Sequence, residues 1–210
     1  MIIKLVNITD NPEDIIIRAM TFCTGKTPDW DKHVVPAIKA DHSVSEHINM
    51  SFELIGISNP AARQILRHRI SSPLQRSQRY SDESESELYH PPNIGNALWV
   101  YDDIGDKCRQ AYKELIKMGM NKEDARNILP FGTLTNVFLT INLRSLIHMC
   151  SIRLCTHAMP EVREIMKEMK SCIMDKYPRI GVFLVPDCEA LGFCRQPKCC
   201  GLKKHISEFK

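Results

Sequence analysis

Residues 63–80, RQILRHRISSPLQRSQRY, carry Arg63, Arg67, Arg69, Arg76 and Arg79 and no lysine. From Leu54 to Ser81 there is no Asp or Glu, although 25% of the chain is charged. Acids return at once afterwards as Asp82, Glu83, Glu85 and Glu87. A solvated helix face mixes lysine with glutamate, so this composition points to a segment built to hold an anion. Guanidinium gives phosphate a rigid two-pronged donor set and does not lose its charge. The interleaved Gln64, Gln75, Ser77 and Gln78 add neutral hydrogen-bonding groups suited to the edge of a base or a sugar.

Working upstream, Ser58-Asn59-Pro60 starts a helix expected to run to about Arg67 or His68. On it Arg63 and Arg67 stack one turn apart, as do Gln64 and His68. Ser72-Pro73 does not continue a helix comfortably, so Ser71 to Arg79 is expected as a loop. Residues 49–57 (NMSFELIGI) alternate Met50, Phe52 and Leu54 against Ser51 and Glu53, the pattern of a half-buried strand. Residues 2–8 (IIKLVNI) also suit a strand. Asp10-Asn11-Pro12-Glu13-Asp14 then reads as a helix start, with a capping side chain, a first-turn proline and acids at the positive dipole end.

Downstream, residues 106–118 form an amphipathic helix ended by Gly119, and a short helix from Asn121 to Ile128 carries Arg126 before Pro130. Residues 133–140 suit a strand. Helical spacing returns from Asn142 to Tyr177, as two helices divided near Cys155-Thr156. The result is a mixed α/β domain whose strands are separated in sequence. In the helix from Asn142, Arg144 and His148 lie one turn apart, and Arg153 and His157 share that spacing. One such histidine alone is more often a satisfied core residue. Polar residues this frequent among Leu143, Leu146, Ile147 and Met149 would be costly if merely buried, which favours a ligand face.

At 210 residues, one domain with a sizeable core is expected. A hydrophobic content of 43% suits a soluble globular protein. The net charge of +3, with a pI near 8.3, is too mild for a dedicated nucleic-acid coat. Tyr80 is the only aromatic residue between Phe52 and Tyr89, so single-stranded RNA fits these arginines less well than a phosphate-bearing small molecule. No secretory leader or membrane-length apolar run is read, so the cytoplasm is expected and the nine cysteines should be mostly reduced. No HExxH, GxGxxG, GxxxxGK[ST] or GxSxG pattern occurs, so zinc-protease, Rossmann, P-loop and serine-hydrolase chemistries lack support. Cys188, Cys194, Cys199 and Cys200 crowd the end of the chain at spacings that fit no CxxC pair. Reduced tail thiols are the plain reading and a structural metal the alternative.

Arg67-His68-Arg69, seven residues, Ser77, then Arg79-Tyr80 resembles the signature of the flavin-dependent thymidylate synthases. Further motifs follow in the family's order: SVSEH at 43–47, ARNILP at 125–130 and NLRSLIHMCSIRLCTHA at 142–158. The resemblance spans roughly residues 15 to 185. It implies a single domain over 1–187, with a central, mostly antiparallel sheet flanked by helices, followed by a cysteine-rich tail at 188–210. It implies a homotetramer with active sites at subunit interfaces, where dUMP, FAD and methylenetetrahydrofolate meet and NADPH is the reductant. Neither nucleic acid nor a membrane is an implied partner, and no metal is implied at the site.

By similarity, dUMP would be held by Gln64, Arg67, Gln75, Arg76, Ser77, Gln78, Arg79, Arg126 and Arg153. Arg153 matches the arginine that stabilises the ionised N3 of the uracil, the catalytic role in this set. FAD would be held by Ser43, Arg67, His68, Arg69, Gln75, Asn142, Arg144 and His148, with weaker contacts at Thr21 and His157. The implied product is dTMP, and tetrahydrofolate leaves. A relative that installs a hydroxymethyl group is the alternative enzyme, and an RNA-binding module a distant one. The sequence departs from the family at Asp41, where a histidine is usual before the serine of SVSEH, and at Leu74, where a small polar residue is common.

Overall fold

The alternation at residues 49–57 forms the second strand of a four-stranded antiparallel sheet in the computed structural model, which describes residues 1–209. The strands are β1 (Ile2–Ile8), β2 (Asn49–Ser58), β3 (Ser71–Gln75) and β4 (Leu134–Asn142), in the spatial order β1-β2-β4-β3. Ser51 Oγ lies 2.9 Å from Thr140 Oγ1, and Gly56 N donates to Asn136 Oδ1 at 2.9 Å. Residue numbers therefore rise along β2 as they fall along β4. The mixed α/β class expected from the sequence is the class found.

The helices are α1 (Pro12–Thr24), α2 (Val35–Lys39), α3 (Asn59–Ile65), α4 (Leu98–Lys117), α5 (Lys122–Ala125), α6 (Leu143–Arg153), α7 (Pro160–Met174), α8 (Pro178–Gly181) and α9 (Asp187–Leu191). The chain clusters into two compact units built from interleaved segments. The first holds residues 1–2, 54–67 and 73–138; the second holds 3–53, 68–72 and the chain from Leu139 onward. The first unit buries Ala61, Ala62 and Ile65 of α3, Tyr112 of α4 and Val137 of β4. The second buries Met50 and Phe52 of β2, Leu139 and Ile141 of β4, and a stripe of α7 at Val162, Ile165, Met169 and Ile173. Each large apolar side chain withdrawn from water contributes roughly 1.5–3 kcal/mol. Among the described residues no helix is long and apolar enough to cross a membrane.

Four local expectations are corrected. Helix α3 ends at Ile65, with Leu66 N bonded back to Ala62 O at 2.9 Å, so Arg67 lies beyond the helix. Residues 71–75 are a strand instead of a loop. Pro73 is tolerated because β3 is outermost in the order and pairs on one side only. Helix α4 starts at Leu98, well before residue 106; its first turns carry the exposed Leu98, Trp99, Val100 and Tyr101, which hide the amphipathic period. Asn11 makes no side-chain cap, sitting at φ 47 with its carbonyl accepting from Ile15 N at 3.1 Å.

Candidate active site

In the first unit, α3 and the segment after β3 carry the expected nucleotide-binding residues. Ser58 Oγ caps α3 by accepting from Ala61 N at 3.2 Å, which fixes the helix bearing Gln64. Gln75 Nε2 donates to Asn59 Oδ1 at 2.8 Å, and Asn59 Nδ2 donates to Thr133 O at 2.8 Å. The Gln75 amide is thus oriented by a chain of bonds running to the start of β4. Arg76 Nε donates to Glu83 Oε1 at 3.0 Å and its Nη2 to Asp82 O at 3.1 Å. Glu83 is only 2% exposed, so this carboxylate gains its compensation from Arg76. Arg79 pairs with Glu123 at 3.0 Å and lies over the Tyr80 ring at 5.6 Å. Arg79 N donates to Ser77 Oγ at 3.3 Å, and Arg126 Nε donates to Glu123 O at 3.1 Å. Ser77 is exposed and Gln78 half-buried.

The second unit holds the expected flavin-binding residues other than Arg67 and Gln75, with Asn142 at the start of α6 and Arg144 and His148 on it. Asn142 Oδ1 accepts from Ser145 N at 2.8 Å, so Asn142 is the N-cap of α6. Leu143, Leu146, Met149 and Cys150 are buried, which turns Arg144 and His148 to the other face. Near the helix end, Arg153 Nε donates to His68 Nε2 at 3.3 Å. The His68 and His148 rings meet edge-on at 6.2 Å. Burial, the Arg153 charge and His148 together push the His68 pKa down to about 4. His68 is therefore neutral near pH 7 and accepts from Arg153. Ser71 Oγ donates to His68 O at 2.7 Å, so His68 is anchored through its backbone as well.

Arg144 is engaged more heavily than its spacing with His148 suggested. Its Nε and Nη2 reach both oxygens of Asp41 at 2.8 and 2.7 Å, and its Nη1 bonds to Glu46. The Arg144 guanidinium holds the Asp41 carboxyl below the usual carboxylate range. Asp41 itself sits at φ 58, a left-handed conformation that Asp tolerates better than most residues. Ser43 is exposed in the short turn Ser43–His47. Thr21 Oγ1 donates to Ile17 O at 2.8 Å within α1, and His157 Nε2 lies 2.6 Å from Lys198 O. Those two side chains are turned to their own helix and to the tail.

Arg67 and Arg69 are exposed, and neither has an ion pair among the described residues, unlike Arg76, Arg79 and Arg144. Sequence reasoning overlooked Asn59, Glu83, Glu123 and Glu46 as partners of the expected site residues. The return of acids directly after Ser81 was the available signal for Glu83, and the position of Asp41 the signal for the Arg144 clamp.

The family model described as thymidylate synthase complementing protein matches residues 4–179, and the chain belongs to that family. The chain is similar to the flavin-dependent thymidylate synthase of Sulfurisphaera tokodaii, 30% identical over 204 residues that cover 90% of this chain and 79% of that protein. The protein of the same description from Pyrococcus abyssi is 33% identical over 167 residues, covering 72% and 67%. That from Thermococcus kodakarensis is 30% identical over 219 residues, covering 91% and 88%.

Proposed function

We propose that the chain is a flavin-dependent thymidylate synthase that converts dUMP to dTMP, with FAD as cofactor, NADPH as reductant and methylenetetrahydrofolate as carbon donor. The family match over residues 4–179 carries this reading. The anion-binding residues expected on sequence grounds support it, because Arg67 and Arg69 keep their charge uncompensated by an internal acid. A dianionic pyrophosphate suits the charge of Arg69 and the donor groups of His68, Asn142 and Ser43, which belong to the same unit. Arg144 suits it less fully while Asp41 and Glu46 neutralise its charge.

Arg153 does the chemistry this chain supplies. Ionisation of uracil N3 is unfavourable near neutral pH, and a fixed guanidinium against the ring stabilises the anion. The neutral His68 fixes that guanidinium through Nε without adding a second positive charge. Gln75, oriented through Asn59, and Arg67 position the nucleotide. FAD, when bound, supplies the hydride that converts the transferred one-carbon unit into a methyl group.

The same reading gives a homotetramer with sites shared between subunits, acting in the cytoplasm. The exposed apolar start of α4, with Trp99 at 70% exposure and Ile104 at 50%, suits burial against another copy. The purified chain should be yellow, and NADPH should bleach its flavin absorbance in the absence of oxygen. A colourless protein that takes up no FAD contradicts the reading.

A further inference from the structure

Asp41 occupies a backbone position that suits glycine or asparagine better. Helix α2 ends in a Schellman turn, in which Asp41 N donates to Ile38 O at 3.0 Å and His42 N to Ala37 O at 2.9 Å. The turn puts Asp41 at φ 58, where a Cβ is strained and glycine is not. The residue there is nevertheless a carboxylate, and its side chain is fully used. Its two oxygens accept from Arg144 Nε at 2.8 Å and Nη2 at 2.7 Å. Glu46, in the short turn Ser43–His47, takes the remaining nitrogen, Nη1. All three residues belong to the second unit.

Burial does not explain the pairing. The Glu83 side chain, 2% exposed, needs Arg76 as compensation, whereas the Asp41 side chain is 73% exposed and that of Glu46 46%. Ion pairs so open to water add little to stability. Their effect on charge is larger. One guanidinium set against two carboxylates leaves the group negative overall, and each of its three nitrogens already donates to a carboxylate. Arg69, in the same unit, is exposed and has no ion pair among the described residues. The two arginines therefore offer an anion very different receptions.

We infer that Asp41 withholds Arg144 from the phosphates of the flavin cofactor and so sets how tightly the chain holds FAD. The inference rests on the flavin reading proposed above. Carboxylate and phosphate seek the same two-pronged edge of a guanidinium, and the edge formed by Nε and Nη2 serves one of them at a time. FAD therefore competes with Asp41 for Arg144, while Arg69 meets the phosphates without an internal competitor. Asp41 acts through Arg144, as a positioning residue. The opposite role, a carboxylate that aims Arg144 at the phosphates, predicts an effect of opposite sign.

The test is the FAD dissociation constant of the full chain and its variants, read from the change in flavin fluorescence, with thermal melting of the same samples to report on the fold. Asp41→Asn and Asp41→Gly both remove the charge and both suit the left-handed turn, so either serves if the other folds poorly. Each should bind FAD about 10-fold more tightly, the scale of one hydrogen bond to a charged group. Arg144→Gln should change FAD affinity little in the unmodified chain and should remove the whole gain in the Asp41→Asn chain. A merely structural role for Asp41 gives no such coupling. Arg69→Gln should weaken FAD binding in both backgrounds. Unchanged or weaker binding by the Asp41 variants, a gain that survives Arg144→Gln, or a large loss on Arg144→Gln alone would each overturn the inference and leave the flavin reading standing. If no form takes up FAD, the flavin reading fails and the inference falls with it.

Discussion

His68 stays neutral near pH 7 because burial, Arg153 and His148 push its pKa down to about 4, and its Nε2 lone pair is then available to Arg153 Nε at 3.3 Å. Unfolded, the same imidazole takes up its proton near 6.5. Between those values the unfolded chain binds more protons, so the stability contributed by neutral His68 is complete above about 6.5 and is lost as pH falls towards 4. His68→Gln should flatten that part of a Tm-against-pH curve, and an unchanged slope would show that other groups set it. Arg153→Ala should keep FAD and its reduction by NADPH while weakening dUMP binding and nearly abolishing dTMP formation. Arg153→Lys should recover little, because a point charge does not reproduce the planar fork. If Arg153 were a plain surface cation, its loss would cost under about 1 kcal/mol and turnover would survive. Both residues stand in motifs that the sequence singled out, His68 in residues 67–69 and Arg153 in residues 142–158. Their pairing was not legible there, because 85 residues separate them and only the folded chain brings Nε to Nε2.

At the scale of elements, α6 depends on one side chain at its start. Asn142 Oδ1 caps Ser145 N at 2.8 Å, which leaves its amide NH2 as the group able to donate elsewhere. Asn142→Ala should therefore lower stability by about 1 kcal/mol in urea denaturation. Asn142→Asp keeps an acceptor at the cap but replaces the donor with a negative charge. It should hold stability near that of the unmodified chain while weakening FAD binding, and equal FAD affinity for the two variants would separate Asn142 from the flavin. Strand β2, α6 and α7 were readable because their apolar residues repeat at two or at three to four positions. Strand β3 was not, since Ser72-Pro73 carries a turn signature and only its place at the sheet edge permits a strand. The early start of α4 was hidden by the run Leu98-Trp99-Val100-Tyr101, apolar on successive residues and exposed in the single chain. A run exposed on successive residues lacks the one-sided pattern that marks a helix packed on its own core.

For the whole molecule, the proposed sharing of sites between subunits makes activity depend on assembly, and the exposed run at the start of α4 is where that is tested. Trp99→Asp should shift sedimentation towards smaller species and lower turnover in parallel, and a fully active monomer would refute sites shared between subunits. The family match and the arginine-rich segment at residues 63–80, where the sequence first pointed to that family, are the grounds for the proposed cofactor and product. The most direct measurement is mass analysis of the product when the FAD-loaded chain is given dUMP, methylenetetrahydrofolate and NADPH without oxygen. The expected result is dTMP with tetrahydrofolate as co-product, both absent when FAD is removed. A hydroxymethylated nucleotide heavier by one oxygen, dihydrofolate as co-product, or dTMP formation that persists without flavin would contradict it.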